Sequence, residues 1–294
     1  MPRAAAIVLA SITAGLLVGC DVEPGSAFEY DTVAHLDLDA LRSSPWAKGM
    51  FEDGNIQISV DGSHDCEALV DDTDAVTLGT GSDRVEIYLE GSFSSKEVDA
   101  CIGALEDDFA KKKTEKGEKP HKLKSKALGK GMFAVVIGTG TLPTPSRDRL
   151  SDLLDADPSP SDEPIWFTGR PDDSGEKVRY VEGWLNPKKG FDAHVGIEFA
   201  DEATAAKTGA EATMFLTAMR LSDDTSEMAK AVQLDASGNT LSADVHASSD
   251  TMKAFMKASS MKASGKGMTA EEAKKHAKEH GKGTGSVSFS FGTE

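Results

Sequence analysis

The stretch "AVTLGTGSDRVEIYLEGS", residues 75 to 92, decides the fold class that we predict for this chain. Two runs of alternating apolar and polar residues flank a Gly-Thr-Gly-Ser turn, which is the pattern of a β-hairpin. Residues Ser94 to Glu97 follow as a capping box, the start signal of a helix. The helix is predicted to have one apolar face, formed by Val98, Cys101, Ile102, Leu105 and Phe109.

Comparable strand-strand-helix patterns occur at residues 178–221 and 231–261, and residues 122–140 predict a further hairpin before a helix over residues 146–156. We therefore predict an α+β fold of two tandem related halves. Each half is expected to be an antiparallel sheet with helices packed on one face, built from ββα-type units. The predicted domains are residues 29–157 and 165–294, joined by a linker of proline and acidic residues at 158–164.

The N-terminus has the layout of a secretory signal peptide over residues 1–19, with Arg3 before an apolar stretch. Residues Leu17-Val18-Gly19-Cys20 resemble the lipobox of bacterial lipoproteins. That resemblance implies cleavage before Cys20 and acylation of its sulfur, with residues 20–28 as a tether. We therefore expect an exported chain, lipid-anchored to a bacterial membrane on its periplasmic face or at the cell surface. An ordinary signal peptide with an incidental cysteine is the alternative.

The cysteine count agrees with export. Three cysteines less the lipidated Cys20 leave Cys66 and Cys101, an even pair in a compartment where disulfides persist. We predict a disulfide between them, and two free thiols are the alternative.

The formal net charge of −17 limits the possible partners. Phosphate backbones repel such a chain, so nucleic acid is excluded as a partner. The expected partners are the membrane, through the lipid anchor, and another protein of the cell envelope. The basic run at residues 111–126 is read as a solvated connection between helix and strand.

A five-residue match near the C-terminus raises a metal hypothesis. His276, Glu279 and His280 spell H-x-x-E-H, the pattern of one class of zinc peptidase. Only Glu294 follows as an acidic third ligand, and several lysines surround the histidines, which disfavours a divalent cation. A solvated charged helix is the preferred interpretation. The alternative is a copper or zinc site, because thioether, carboxylate and imidazole ligands recur every four residues at Met268, Glu272, His276 and His280.

No catalytic motif for acyl, phosphoryl or hydride transfer occurs in the chain, so no cofactor and no catalytic residue are predicted. The phrase "DLDALRSSP", residues 37–45, resembles uncharacterised exported proteins of environmental bacteria, and that resemblance implies no activity. The sequence thus predicts a non-enzymatic lipoprotein of the cell envelope, a binding or structural interaction module. An extracytoplasmic copper- or zinc-binding protein is the alternative.

Overall fold

The computed structural model describes residues 30–48, 56–59, 69, 72–81, 83–111, 122–155, 163–170, 177–188, 190–222, 225–255 and 287–290. Ten strands form one antiparallel sheet in the order β10-β11-β9-β8-β7-β1-β3-β4-β6-β5. They are β1 (Thr32–Asp37), β3 (Thr73–Gly81), β4 (Arg84–Gly91), β5 (Lys122–Gly129), β6 (Met132–Gly138), β7 (Ile165–Gly169), β8 (Val178–Asn186), β9 (Phe191–Phe199), β10 (Val232–Ser237) and β11 (Thr240–Ala247). A separate parallel pair joins β2 (Ile56–Ser59) to β12 (Val287–Ser290).

Five helices and the helical segment 249–255 accompany the sheet in the described part of the chain, and the five are α1 (Leu38–Ser43), α2 (Ser95–Lys111), α3 (Arg147–Asp155), α4 (Glu202–Arg220) and α5 (Ser226–Lys230). The predicted capping box starts α2, because Ser94 N donates to Glu97 Oε2 at 2.7 Å and Glu97 N donates to Ser94 Oγ at 3.3 Å. Helix α4 is capped by Asp201, whose Oδ1 accepts from Thr204 N at 2.8 Å. None of the described helices is both long enough and apolar enough to cross a membrane.

The mixed α+β class and the antiparallel sheet are confirmed, but the sheet is continuous. The sequence predicts one sheet in each half, whereas β1 pairs with both β3 and β7 and so joins the two sets of strands. The backbone of the predicted linker takes part in this junction, because Asp37 N donates to Pro164 O at 2.7 Å.

The prediction that helices pack on one face of each sheet is wrong for the first half. Helix α2 packs through Val98 and Cys101 against Phe133 and Val135, on the face that we call the helix face. Helix α3 packs on the opposite face, where Leu153 meets Tyr88. Gly79 on β3 permits this second helix, since a Cβ there would lie 2.5 Å from Leu153 Cδ2 and 2.9 Å from Tyr30 Cδ1. The absence of a side chain at Gly79 therefore makes room for α3.

The helix face of the second half is covered by α4, α5 and the helical segment 249–255. Ala205 of α4 packs with Leu241 and Phe199, and Met252 packs with Phe191 and Val245. Trp46, from the first half, joins that core: it lies edge-on to Phe191 at 5.4 Å between ring centroids, and its Nε1 donates to Gly190 O at 2.8 Å. Core packing therefore crosses the predicted domain boundary, as the sheet does.

Candidate recognition surface

A row of ring side chains crosses the middle of the sheet on the face opposite the helix face. Directly opposed residues on neighbouring strands share a face, so the pairing registers place Thr77, His35, Trp166, Trp184, His194 and Asp244 in one line. The rings of His35 and Trp166 are stacked with centroids 6.0 Å apart, and those of Trp184 and His194 with centroids 6.1 Å apart. We call this face the row face.

His194 is the best-positioned polar group of the row. Its Nδ1 lies 2.7 Å from Asp244 Oδ1, and its ring stacks on Trp184 at an interplanar angle of 16°. Its Nε2 lies 3.5 Å from the point that a Cβ on Gly196 would occupy, and Glu182 Oε1 lies 3.2 Å from the same point. The missing side chain at Gly196 therefore leaves a small gap between an imidazole and a carboxylate. The side chain of His194 is 23% exposed, so solvent reaches this gap.

The histidine at the other end of the row is in a different environment. His35 Nδ1 lies 2.9 Å from Thr77 Oγ1, and its ring stacks on the buried Trp166. Burial lowers the pKa of His35, and the nearby carboxylates of Glu90 and Asp37 only partly oppose this. His35 is therefore a neutral packing group, while His194 is paired with the carboxylate of Asp244.

The second half of the row face is acidic. Fifteen residues of β8, β9, β10 and β11 point to it by register. They include five carboxylates, two histidines and no lysine or arginine. We call this set the acidic face: Tyr180, Glu182, Trp184, Asn186, Asp192, His194, Gly196, Glu198, Gln233, Asp235, Ser237, Thr240, Ser242, Asp244 and His246.

No described helix covers the acidic face, and its polar groups are held in position. In the first half, α3 covers the row face. In the second half, the described helices that contact the sheet all lie on the helix face. The side chain of His246 is 65% exposed, and its Nδ1 lies 3.1 Å from Asp192 Oδ1, which makes a second histidine-aspartate pair beside that of His194. Asn239 Nδ2 donates to Glu198 Oε1 at 3.1 Å.

Within the described residues, the row contains no complete hydrolytic triad. Asp244 and His194 form an aspartate-histidine pair of the kind that occurs in such triads, but no hydrogen bond joins His194 to any described serine, threonine or cysteine. Their strands, β9 and β11, are both paired on two sides, so the backbone N–H groups there are engaged in the sheet. No oxyanion hole can form from those groups. The acidic face is therefore a sheet surface of ordered aromatic rings and carboxylates.

Among the described residues, the one fully buried carboxylate belongs to a structural network. Glu86 on β4 is 0% exposed and accepts hydrogen bonds from Arg149 on α3, from Arg84 and from Tyr88 OH. Burial alone would raise the pKa of Glu86, but the hydrogen bonds from the two guanidinium groups outweigh it and hold that pKa below its ordinary value. The network joins α3 to the sheet, and sequence analysis missed it because its members are far apart in the chain.

The sequence-predicted site residues are only partly within the described residues. Cys101 is buried in the core beneath α2, as expected for a structural cysteine. Cys20, Cys66, Met268, Glu272, His276 and His280 lie outside the described residues, so the lipidation, the disulfide and the copper or zinc site stay predictions. Within the described ranges, no group of three or more histidine, cysteine or acidic side chains could hold a metal ion.

Comparisons with known proteins give little further information. No protein-family model matches the chain, and a search of curated proteins finds no match. Among solved structures, crystal form I of TP0453 is similar with a TM-score of 0.40 and 11% sequence identity, over 81% of this chain and 98% of that one.

Proposed function

We propose that this chain is an exported, lipid-anchored binding protein of the bacterial cell envelope, and that the acidic face is its recognition surface for a cationic ligand. The observation that carries the proposal is the row of Trp184, His194 and Asp244, held in register on a face that has five carboxylates and no lysine or arginine. Ordered rings give a ligand a rigid contact surface, and the carboxylates attract positive charge.

We also infer that the two halves are related units, and that they differ in whether a described helix covers the row face. The strand order supports this inference. Each half runs through three strands, a helix and a hairpin, as β1-β3-β4-α2-β5-β6 and as β7-β8-β9-α4-β10-β11, with β2 and α1 inserted in the first and α5 in the second. In each half, the last strand of the hairpin pairs with the third strand.

One pair of positions in each half supports the difference between the two row faces. Gly79 and Glu86 are cross-strand neighbours on the row face of the first half, and Glu182 and Gly196 are cross-strand neighbours on the row face of the second. Glycine on β3 admits α3, which closes the row face of the first half. Glycine on β9 leaves the gap beside His194 on the acidic face.

The binding proposal can be tested with a short lysine peptide as the probe. We compare the wild-type chain with the double variant Asp235→Asn/Asp244→Asn, and with the control Asp74→Asn/Asp83→Asn, which removes the same charge elsewhere. We expect the first double variant to weaken binding about tenfold, as the loss of two close charge contacts predicts, and the control to weaken it less than about twofold. Equal weakening by both double variants would show attraction to net charge alone and would refute the recognition surface.

The export and membrane parts of the proposal rest on different residues and need a different measurement. If the folded chain binds the lysine peptide but carries no acyl group, the recognition surface is supported and the lipid anchor is refuted. We expect no binding of double-stranded DNA at physiological salt, because an acidic chain repels the phosphate backbone.

A further inference from the structure

The two edge strands of the ten-stranded sheet differ in how they are protected. Native sheets discourage unwanted edge pairing with lysine, proline or bulges, and lysines do so by repelling a second lysine-bearing edge. β5 has Lys122, Lys124 and Lys126 on the row face, and its pairing with β6 shifts register between Ala127 and Gly129. β10 has none of these features: Val232–Ser237 contains no lysine, arginine or proline, and its pairing with β11 has no register shift.

Within the described residues, no strand pairs with the outer edge of β10. His246 N donates to Ala231 O at 2.9 Å, so residues 231, 233, 235 and 237 bond inward to β11. The N–H and C=O groups of Val232, Leu234 and Ala236 therefore point to the free edge. Arg220 Nη2 donates to Val232 O at 3.5 Å. The outward-pointing backbone groups of Leu234 and Ala236 form no hydrogen bond within the described part of the chain.

We propose that β10 of one copy pairs with β5 of a second copy, so that the sheet continues from molecule to molecule. An antiparallel sheet of ten strands has edge strands that run in opposite directions. A second copy placed beside the first in the same orientation therefore brings β5 antiparallel to β10, with the two row faces on the same side. This geometry requires no change of fold.

The register of that contact follows from the sheet itself. Gly91 N donates to Gly131 O at 2.9 Å, so the odd-numbered residues of β6 bond toward β4 and the even-numbered ones bond toward β5. Lys122, Lys124 and Lys126 accordingly bond inward, and the backbones of Leu123, Ser125 and Ala127 point to the free edge. The line of directly opposed residues across the sheet ends at Lys126 on β5 and at Gln233 on β10. If this line continues into the neighbouring copy, Lys126 lies beside Gln233 and Lys124 lies beside Asp235.

Charge favours this pairing over a β5–β5 contact. Lysines would face lysines in a β5–β5 contact, and like charges directly opposed are destabilising. The β5–β10 contact instead places three lysines along the margin of the acidic face, next to the exposed Asp235. Lys122 Nζ donates to Gly140 O at 2.6 Å and Lys124 Nζ to Leu142 O at 2.5 Å, so both amines are held above β5, and the side chains of all three lysines are exposed. The contact is heterologous and repeats head to tail.

The test uses sedimentation of the full chain in detergent over a range of concentrations. We expect the wild-type chain to associate, and Asp235→Lys and Lys124→Asp each to raise the dissociation constant about tenfold, because each places like charges opposite one another. Asp83→Lys, at the β3–β4 turn, makes the same charge change away from both edges and should associate like the wild type. Mixing the two edge variants should restore association, because each then meets a complementary edge.

Misfolded variants could not regain association when they are mixed. Association of the mixed Asp235→Lys and Lys124→Asp variants is therefore the deciding result. A wild-type chain that stays monomeric at every concentration overturns the proposal, and so does a mixture that fails to associate. A monomer in which the amides of Leu234 and Ala236 are protected from hydrogen exchange would assign the β10 edge to a segment of the same chain, and would likewise overturn it. Loss of lysine-peptide binding with association intact would affect the proposed function alone.

Discussion

Arg149 binds Glu86 through two parallel hydrogen bonds, from Nη2 to Oε1 at 2.5 Å and from Nε to Oε2 at 3.1 Å. The carboxylate is buried under α3, while the guanidinium side chain is 20% exposed. Arg149 Nη2 also donates to Tyr30 OH at 2.8 Å, so one side chain of α3 connects β4 to the segment before β1. This contact fixes the position of the helix that closes the row face of the first half.

Glu86→Gln should destabilise the fold by about 3 kcal/mol, because it leaves two arginines at a buried site without their carboxylate. Glu90→Gln is the matched control, since Glu90 lies on the same strand and face but is partly exposed. We expect the control to change the free energy of unfolding by less than about 0.5 kcal/mol. Denaturant unfolding measures both. Equal effects of the two substitutions would contradict the structural role of Glu86.

Acid should weaken the fold through the same carboxylate. The pKa of Glu86 is held below its ordinary value in the folded chain. Its contribution to stability is therefore complete above the unfolded pKa of about 4.3 and is lost as the pH falls through the folded pKa. We expect the difference in unfolding free energy between wild type and Glu86→Gln to be constant near neutral pH and to shrink below about pH 4. A difference that grows on acidification would contradict the sign of this shift.

Gly79→Ala should destabilise the fold by about 1 to 3 kcal/mol, because the new methyl group would overlap Leu153 and Tyr30 in a packed core. Gly103→Ala is the control with the opposite expected sign. A Cβ at Gly103, on α2, meets nothing within 4 Å, and alanine favours a helix over glycine by about 0.5–1 kcal/mol. Thermal unfolding of the two variants should move the midpoint in opposite directions.

Local signals predicted most of the secondary structure. The capping box at Ser94 and Glu97, the alternation in β3 and β4, and the helical spacing in α2 and α4 all depend on residues that are near one another in the chain. The pairing of β1 with β7 has no such signal, because residues 32–36 and 165–169 are joined only by the three-dimensional fold. For this reason the sequence predicts two sheets where there is one.

The candidate site could not be predicted for the same reason. His194 and Asp244 lie 50 residues apart, and Arg149 and Glu86 lie 63 residues apart, so only the strand register shows that each pair is in contact. In the sequence, His194 and His246 are isolated histidines that belong to no motif. A retrospective signal was the alternation of charge in β9 and β11, where aspartate and histidine occupy alternate positions.

Reduction should destabilise the chain through the predicted disulfide of Cys66 and Cys101. Closing the loop between them should contribute about 3–4 kcal/mol on the chain-entropy model. We expect reductant to lower the unfolding free energy of the wild type to the value of Cys66→Ser, and to leave Cys66→Ser unchanged. Cys66→Ser is preferred over Cys101→Ser because Cys101 is buried among apolar side chains, where a hydroxyl adds its own cost. A wild type that is insensitive to reductant would exclude the disulfide.

Lipidation at Cys20 is the prediction on which the envelope role depends. Each buried CH₂ of an acyl chain contributes about 0.8 kcal/mol, so two or three chains hold a soluble body on a membrane durably. Mass spectrometry of membrane-extracted chain should show a mature N-terminus at Cys20 that carries acyl groups. Cys20→Ser should abolish the acyl mass and leave the leader attached, while Cys66→Ser, which also removes one thiol, should be processed like the wild type. An unmodified thiol at position 20 in the wild type would remove the anchor and, with it, the reason to place the acidic face at a membrane surface.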